Sequence, residues 1–329
     1  MKIALIGRTK FLLNTGKFLL KKGVKIELVI TSKNAEHDKI KSKDFQNFAK
    51  ISNAEFLNIK NINSEKILSK LKTMGLDLGI SVNNPLLIKN EIIKQFKFGI
   101  LNAHAGDLPK YRGNACPNWA IINNEKKIGI SIHFMTENVD AGNIILKKKY
   151  EIKQKTTILD FYTFAEVEIP KMFFESIKKI QTKKINSEKQ DENEIIRTYP
   201  RNKMDGKIDW EKDVKQVDRL IRASGKPFFG AYTYFKSNKL IINKAKIKNP
   251  KIKFYAEPGQ IVERNKDGSV SVACKNGFVI IKEVIYKNKI YSNPSLLIKT
   301  IHTKLGMDIE EEIEKINQRL DKIGKIKNH

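Results

Sequence analysis

The chain has 329 residues, 40% of them hydrophobic, and a formal net charge of +27. This length allows two domains with separate cores, and no apolar run approaches the roughly 20 residues of a membrane span, so we expect no membrane partner. Only 8 of the 63 basic residues are Arg, and the lysines run from end to end. That composition favours a solvated surface over a clustered nucleic-acid-binding face.

The cysteines and histidines match no metal-binding pattern. Cys116 and Cys274 are far apart, and none of the five histidines forms a ligand cluster with them, so we expect neither a metal site nor a disulfide. The first apolar segment, 2–7, is too short for the core of a signal peptide. Together these observations predict a cytoplasmic protein.

The amino-terminal part of the chain alternates short apolar segments with amphipathic ones. The predicted elements are strand 2–7, helix 10–22, strand 25–31, helix 38–51, strand 55–59, helix 64–74, strand 77–82, a helix near 88–96 and strand 99–104. This alternation predicts an α/β fold with a mainly parallel, Rossmann-like sheet, whose ligands bind beyond the carboxyl ends of the strands. No glycine-rich phosphate loop follows the first strand, which argues against a dinucleotide-dependent dehydrogenase.

The regular alternation of strands and helices ends after residue 104. The rest of the chain contains a predicted hairpin of strands 128–134 and 144–152, helix 157–180, a polar connector at 183–194, helix 213–224, and short strands at 230–235, 239–247, 259–264, 270–273 and 277–284. Five short strands separated by turn residues predict a small OB-like β-barrel. We therefore expect a catalytic domain at 1–200 and an OB-like domain at 201–329, which ends in a charged helical tail from residue 305.

Three polar residues stand where two of these strands end. Asn102 and His104 alternate along one strand and so share a face, and Asp140 follows 36 residues after the histidine, in the connection of the hairpin. An amide can donate to an oxygen that gains negative charge, an imidazole can accept a proton near neutral pH, and a carboxylate can orient the imidazole. The set suits acyl transfer to an amine, with Asn102 as oxyanion donor, His104 as base and Asp140 as the orienting carboxylate.

Other polar residues near this set have simpler interpretations. His133 lies inside an alternating strand and is predicted to be packed rather than catalytic. Asp107 is the nearest rival carboxylate, but its position before Leu108-Pro109 is typical of a turn residue. Each of the three candidate residues would be structural if it stood alone, so their joint pattern carries the catalytic interpretation.

The pattern continues through Leu108-Pro109, Arg112-Gly113 and Gly142. These elements, Asn-x-His, Leu-Pro-x-x-Arg-Gly and Asp-x-Gly, resemble those of the formyltransferases that use 10-formyltetrahydrofolate, and the resemblance covers about residues 1–290. It implies a formyltransferase-type sheet domain followed by an OB-like domain, and 10-formyltetrahydrofolate as co-substrate. It also implies that the pterin is contacted by the loop and segment containing Leu86, Leu87, Ile88, Val139 and Asp140.

Two branches of the family share this layout. One branch formylates initiator methionyl-tRNA, and after Arg-Gly it carries a segment like Ala-Ala-Pro-Ile-Gln. The other branch formylates nucleotide-linked amino sugars for cell-surface polysaccharides such as lipopolysaccharide O-antigen. At this place the chain has Asn118-Trp119, which resembles the sugar branch. The segment 32–44 also lacks the Arg, Gly and Pro typical of the loop of the tRNA branch. The resemblance thus favours a sugar N-formyltransferase, and the high charge and the OB-like domain keep methionyl-tRNA formyltransferase as the alternative.

The few arginines suggest where a nucleotide sugar binds, because a planar bidentate donor suits phosphate. We expect substrate contacts from Arg8, Arg112 and Arg201, and stacking on a base or sugar from Trp119 or Tyr199. Surface ion pairs or core packing are the competing interpretations, and Arg112 could instead brace the catalytic loop. A homodimer is compatible with the sequence.

Overall fold

The computed structural model describes residues 1–32, 40–250, 252–306, 312–314, 316–318 and 320. The chain divides into two compact units, with the boundary after Arg201. Two predicted segments fall partly outside the described residues, namely residues 38 and 39 of the helix predicted at 38–51 and most of the tail from residue 305. Within the tail, residues 312–314, 316–318 and 320 are helical.

The first unit is built on strands, several of which are largely buried. They are β1 (Ile3–Gly7), β2 (Ile26–Thr31), β3 (Glu55–Asn58), β4 (Leu78–Val82), β5 (Ile100–His104), β6 (Arg112–Gly113), β7 (Lys127–Phe134), β8 (Ile144–Glu151) and β9 (Arg197–Thr198). The largely buried ones are β1, β2, β4, β5 and β7. Seven of the strands form one sheet in the order β3-β2-β1-β4-β5-β7-β8, and β6 pairs with β9. The first five are parallel, and β7 and β8 are antiparallel, which confirms the mainly parallel sheet.

Helices cover both faces of this sheet, as continuous apolar strands require. They are α1 (Thr9–Lys21), α2 (Ser42–Ile51), α3 (Glu65–Met74), α4 (Asn90–Ile93), α5 (Cys116–Ile122) and α6 (Ile158–Gln181). Ile6 packs in a cluster with Ile67 of α3 and Ile92 of α4, whereas the next residue back, Leu5, lies against Gly16 of α1 on the opposite face.

Two of these helices differ from the sequence-based expectation. The helix expected near 88–96 is only one turn long, Asn90–Ile93. The helix Cys116–Ile122 was not predicted, and it begins with Pro117 in its first turn, where the missing N–H of proline has no cost. This unpredicted helix starts at Cys116, shortly after β6, and its first two residues line a cavity of the first unit.

The second unit is an antiparallel sheet with one helix packed on it. Its elements are α7 (Val214–Ser224), β10 (Ala231–Phe235), β11 (Asn238–Lys248), β12 (Ile261–Arg264), β13 (Val270–Cys274), β14 (Gly277–Tyr286) and β15 (Lys289–Tyr291). The strand order is β10-β11-β14-β13-β12, with β15 added beside β14. All five predicted strands are present, and β15 was missed because it has only three residues. The antiparallel domain is confirmed, and its closure into an OB-like barrel stays a prediction.

The cores of the two units are separate clusters of apolar side chains. In the second unit, Trp210 and Val217 lie in one cluster with Ile242 and Val279. Across the parts of the chain that the structure describes, no helix combines the length and the apolar character that a membrane crossing requires.

Candidate active site

A cavity of about 380 Å³ opens where β4 and β5 end. Its lining comes from residues 83–88, 102–105 and 113–117, from His133, Met135 and Thr136, from residues 138–140, and from Tyr162. The carboxyl ends of parallel strands are the expected place for such a site, because the chain leaves the sheet there in loops that can be shaped for a ligand. The volume is that of a small-molecule site.

His104 and Asp140 meet in this cavity. The Nδ1 atom of His104 lies 3.4 Å from Oδ2 of Asp140, and the Nε2 atom lies 2.7 Å from the carbonyl oxygen of Tyr111. The ring is only 7% exposed. Because both ring nitrogens face an oxygen that accepts hydrogen bonds, the surroundings favour the doubly protonated imidazolium.

The electrostatics of this pair follow from burial and charge. Burial opposes a charge on His104, but the Asp140 carboxylate and the hydrogen-bond partners of the ring outweigh it and raise the pKa of His104 from 6.5 to about 9. Burial also opposes a charge on Asp140, yet the charge of the adjacent His104 holds the pKa of that carboxyl below its ordinary value. The base role predicted for His104 needs a neutral ring at neutral pH, and the ion pair favours the charged one.

Asn102 lines the same cavity, next to a histidine that the sequence analysis set aside. Its Nδ2 atom lies 3.2 Å from Nε2 of His133, and the same Nε2 atom lies 3.6 Å from Oδ1 of Asp140. His133 is indeed packed, with 1% of its surface exposed, but it is packed against two of the three candidate catalytic residues. His133 reaches the site because it pairs with Asn102 across the antiparallel strands β5 and β7. The sequence alone does not specify this register.

The backbone around Asp140 explains the Asp-x-Gly element. Asp140 has a φ of 51°, in the left-handed region, where Asp is among the few non-glycine residues that occur regularly. At Gly142 a Cβ atom would lie 1.8 Å from the carbonyl oxygen of Phe134. Only glycine lets the turn approach β7 this closely, and the approach brings the Asp140 carboxylate to both histidines.

Arg112 lies outside the cavity and braces the turn that carries Asp140. Its guanidinium is buried, with 2% exposed, and donates to Oε1 of Gln190 at 2.8 Å. The Nε2 atom of Gln190 donates in turn to the carbonyl oxygens of Asp140 at 2.8 Å and Gly142 at 2.7 Å. Of the two roles that the sequence left open for Arg112, this geometry favours the brace over a substrate contact.

Gln190 is the buried exception in the polar connector 183–194, whose other residues are exposed or half-buried. Its side chain is 4% exposed, and the neighbouring Glu188 exchanges two backbone hydrogen bonds with Ile144, each 2.8 Å long. The segment is otherwise open to solvent, as its polar composition indicated, whereas the Gln190 side chain makes its hydrogen bonds inside the unit. A buried glutamine among charged residues has no periodic signal by which the sequence could reveal it.

Replacing Gln190 by leucine is expected to lower the free energy of unfolding by about 2–4 kcal/mol, because three buried hydrogen bonds are lost and the Arg112 guanidinium is left without this partner. Release of the Asp140 turn should also lower catalytic efficiency about 10-fold. Denaturant unfolding and steady-state kinetics measure both effects. The same change at the exposed Gln181 is the control, and equal stability of the two variants would contradict the brace.

An apolar loop forms another wall of the cavity. Ile88 is buried and Leu86 half-buried, whereas Leu87 is 68% exposed and Val139, which lines the same cavity, is 43% exposed. The loop is held by two asparagines, because Nδ2 of Asn84 donates to the carbonyl oxygen of Leu86 at 2.7 Å and Nδ2 of Asn63 to that of Leu87 at 2.8 Å. An apolar surface thus lies beside the polar set.

The remaining predicted substrate residues lie outside the cavity lining. Nε1 of Trp119 donates to the carbonyl oxygen of Tyr199 at 2.9 Å, and the Arg201 guanidinium lies 5.5 Å from the centre of the Trp119 ring. Tyr199 is 71% exposed. Trp119, Tyr199 and Arg201 therefore form one cluster, which we call the aromatic–arginine cluster. Arg8 comes directly after β1.

Cys116 is a further residue at the site that the sequence analysis did not assign. Its Sγ atom lies 3.5 Å from Nε2 of His104 and 3.2 Å from Oγ1 of Thr198. The thiol is buried, with 3% exposed. It helps to fix the ring of His104 from the side opposite Asp140.

Comparisons with known proteins bear on this site and on the whole chain. Residues 1–177 match the family described as formyl transferase, and residues 201–300 match the family described as formyl transferase, C-terminal domain. A methionyl-tRNA formyltransferase of Fusobacterium nucleatum is 28% identical over 308 residues, which cover 93% of this chain and 99% of that relative.

Solved structures share the fold. A sugar 3N-formyl transferase with dTDP and 5-N-formyl-THF aligns with a TM-score of 0.64 and 22% identity, over 88% of this chain and 98% of that chain. An N-formyltransferase from Helicobacter canadensis, in complex with folinic acid and dTDP-3-aminofucose, aligns with a TM-score of 0.63 and 21% identity, over 85% of this chain and 98% of that chain.

Proposed function

The chain belongs to the formyl transferase family and is a folate-dependent N-formyltransferase, and we propose that the amine it formylates is carried by a nucleotide-linked amino sugar. The product would serve cell-surface polysaccharide synthesis. The observation that carries the choice of acceptor is the aromatic–arginine cluster, because its groups suit a nucleoside diphosphate.

The cavity fits the co-substrate in its chemistry. Its apolar wall at Leu86, Ile88 and Val139 suits a flat pterin ring, and its polar end at Asn102, His104 and Asp140 suits a reacting carbonyl. We propose that backbone groups of 86–88, together with Val139 and Asp140, hold the pterin. When bound, 10-formyltetrahydrofolate supplies an activated formyl group.

The side chains at the polar end have separate roles in this proposal. Asn102 donates a hydrogen bond to the formyl oxygen, and a donor of this kind contributes roughly 3–4 kcal/mol to transition-state stabilisation. His104, held charged by Asp140, places a positive charge beside the same reacting centre and can give a proton to the departing folate nitrogen, after which the neutral ring can take up the proton that the attacking amine loses. Asp140 keeps the ring charged and oriented, as a buried carboxylate does for other catalytic histidines.

The aromatic–arginine cluster lies one helical turn beyond the cavity wall. Cys116 and Pro117 line the cavity at the start of α5, and Trp119 follows on the same helix. An exposed tyrosine and an indole offer faces on which a base can stack, and a guanidinium offers paired donors to phosphate. The two solved relatives with dTDP or a dTDP-linked amino sugar support a substrate of this class.

Methionyl-tRNA formyltransferase is the second candidate. Relatives of that name align along nearly the whole chain, and the net charge of +27 is compatible with a polyanion. The segment 32–44, whose composition argued against the tRNA branch, gives no structural answer because residues 33–39 lie outside the described ones.

Direct assay of both acceptors decides between them. Purified protein with 10-formyltetrahydrofolate should formylate a dTDP- or UDP-linked 3-amino or 4-amino sugar, and the KM for that sugar should change little between about 50 and 200 mM salt. For initiator methionyl-tRNA, affinity would instead fall about 10³-fold or more over that range, because phosphate contacts release counterions. Formylation of the tRNA alone would overturn the proposed acceptor. The double variant Tyr199→Ala, Trp119→Leu should raise the KM for the sugar nucleotide and leave the KM for 10-formyltetrahydrofolate unchanged.

A further inference from the structure

His133 is placed by β7 directly opposite Asn102 of β5. Its Nδ1 atom lies 2.8 Å from the carbonyl oxygen of Phe134. A carbonyl oxygen only accepts hydrogen bonds, so Nδ1 carries the proton. The other nitrogen, Nε2, lies 3.2 Å from Nδ2 of Asn102, within hydrogen-bond range, whereas Oδ1 of Asp140 is farther away at 3.6 Å.

The hydrogen-bond partners of His133 assign its two ring nitrogens. The groups that face it are the Asp140 carboxylate and the ring of His104, whose centre lies 6.4 Å away. Asp140 already balances the charge on His104. Because Nδ1 donates to the carbonyl oxygen of Phe134, the lone pair of Nε2 is available to accept a hydrogen bond from Nδ2 of Asn102.

This hydrogen bond distinguishes the two ends of the Asn102 carboxamide. If the amide were turned by half a rotation, its Oδ1 atom would face the lone pair of Nε2, with no proton between the two acceptors. A buried hydrogen bond would be lost, and two negative partial charges would be brought together. The ring therefore selects one orientation of the amide.

We propose that His133 is a positioning residue that fixes the orientation of the Asn102 amide, and with it the position of the N–H that Asn102 offers to the formyl oxygen. This inference rests on the proposed role of Asn102 in formyl transfer. It does not depend on which amine is the acceptor, so its test uses whichever acceptor the wild-type protein formylates. Formylation of tRNA in place of the sugar would overturn the proposed acceptor and leave this test intact.

The test compares two substitutions of the same residue. His133→Phe keeps a ring of similar size but has no acceptor for Asn102, and kcat should fall about 10- to 100-fold, part of what loss of an oxyanion donor costs. The KM for 10-formyltetrahydrofolate should stay within about twofold, because the pterin contacts are elsewhere. His133→Gln can present Oε1 near the position of Nε2 and should recover most of the lost kcat. Wild-type kcat in His133→Phe, or equal losses in both variants, would overturn the proposal.

Two further measurements separate positioning from general destabilisation. Ile132→Val, at a neighbouring buried position whose side chain points to the opposite face of β7, is the control for a weakened core and should keep wild-type kcat. In an Asn102→Ala background, His133→Phe should cause little additional loss, because the group it positions is gone. Additive losses would contradict the proposal. If His133→Phe does not fold, His133→Asn replaces it, since this shorter amide keeps a donor near the position of Nδ1 but does not reach Asn102.

Discussion

Replacing His104 by alanine is expected to lower kcat/KM for formyl transfer by about 10³–10⁴-fold, at the upper end of what one acid–base residue contributes. The variant loses the charged ring beside the reacting carbonyl, and it also leaves the Asp140 carboxylate buried without the partner that lies 3.4 Å away. An unpaired buried carboxylate is costly, and its pKa should rise. Both changes act on the same step, so the loss should appear in kcat under saturating folate.

The control for this variant is His302→Ala, because His302 is exposed and lies in the second unit. It should keep wild-type kinetics. If His104→Ala is too unstable to purify, His104→Gln retains the size of the side chain without its charge and should show a comparable loss. A folded variant that retains more than about a tenth of wild-type activity would contradict a catalytic role for His104.

Replacing Asp140 by asparagine is expected to lower kcat/KM by about 10³-fold. The two side chains have equal size, so the substitution removes the charge and largely preserves the shape of the site. In the wild-type protein the carboxylate raises the pKa of His104 to about 9 against the opposing effect of burial. In the variant this carboxylate is absent, and burial, which disfavours the charged ring, lowers the pKa of His104. The ring then becomes neutral at lower pH and loses the charge that the proposed mechanism requires.

The sign of the pH dependence distinguishes this mechanism from base catalysis. If the charged ring is the active form, kcat/KM of the wild-type protein declines as the pH rises through about 9, and in Asp140→Asn the decline moves to lower pH. If neutral His104 acted as the base, kcat/KM would instead rise through the same pKa. A pH–rate profile from pH 6 to 10 for both proteins measures this, and a rising limb near 9 would restore the base role.

The same pair predicts how stability depends on pH. The pKa of His104 is raised on folding, so its contribution to the free energy of unfolding is fully present below pH 6.5 and is lost as the pH rises through about 9. The pKa of Asp140 is lowered on folding, so its contribution is present above about pH 3.8 and is lost as the pH falls. Unfolding of Asp140→Asn should therefore depend less on pH between 6.5 and 9.

Asp107→Asn is the matched control for the pH–rate profile and for the pH dependence of unfolding. Asp107 is the other carboxylate that the sequence offered near His104, and in the structure it pairs with Lys149 at 2.9 Å instead. Its replacement should leave the alkaline limb of the pH–rate profile in place. A shift of that limb in Asp107→Asn equal to the shift in Asp140→Asn would show that the effect is a general change of charge.

The sequence alone determined the fold class and the candidate set Asn102, His104 and Asp140. Both depend on patterns that are local or have fixed spacing. Alternating apolar and amphipathic segments specify a parallel sheet because a parallel connection needs a crossover, and the ends of its strands follow directly. The resemblance to the formyltransferases rests on the same few residues in order, and the family matches confirm it.

Only the tertiary structure decided the environment of those residues. The pairing of Asn102 with His133 depends on the register of β5 against β7, and a strand pattern of period two is equally compatible with several registers. The brace between Arg112 and Gln190 joins residues 78 positions apart. The charge on His104 depends on burial and on oxygen atoms contributed by other segments. Such groups have no periodic signal in the chain, because their contacts exist only after distant segments have packed together.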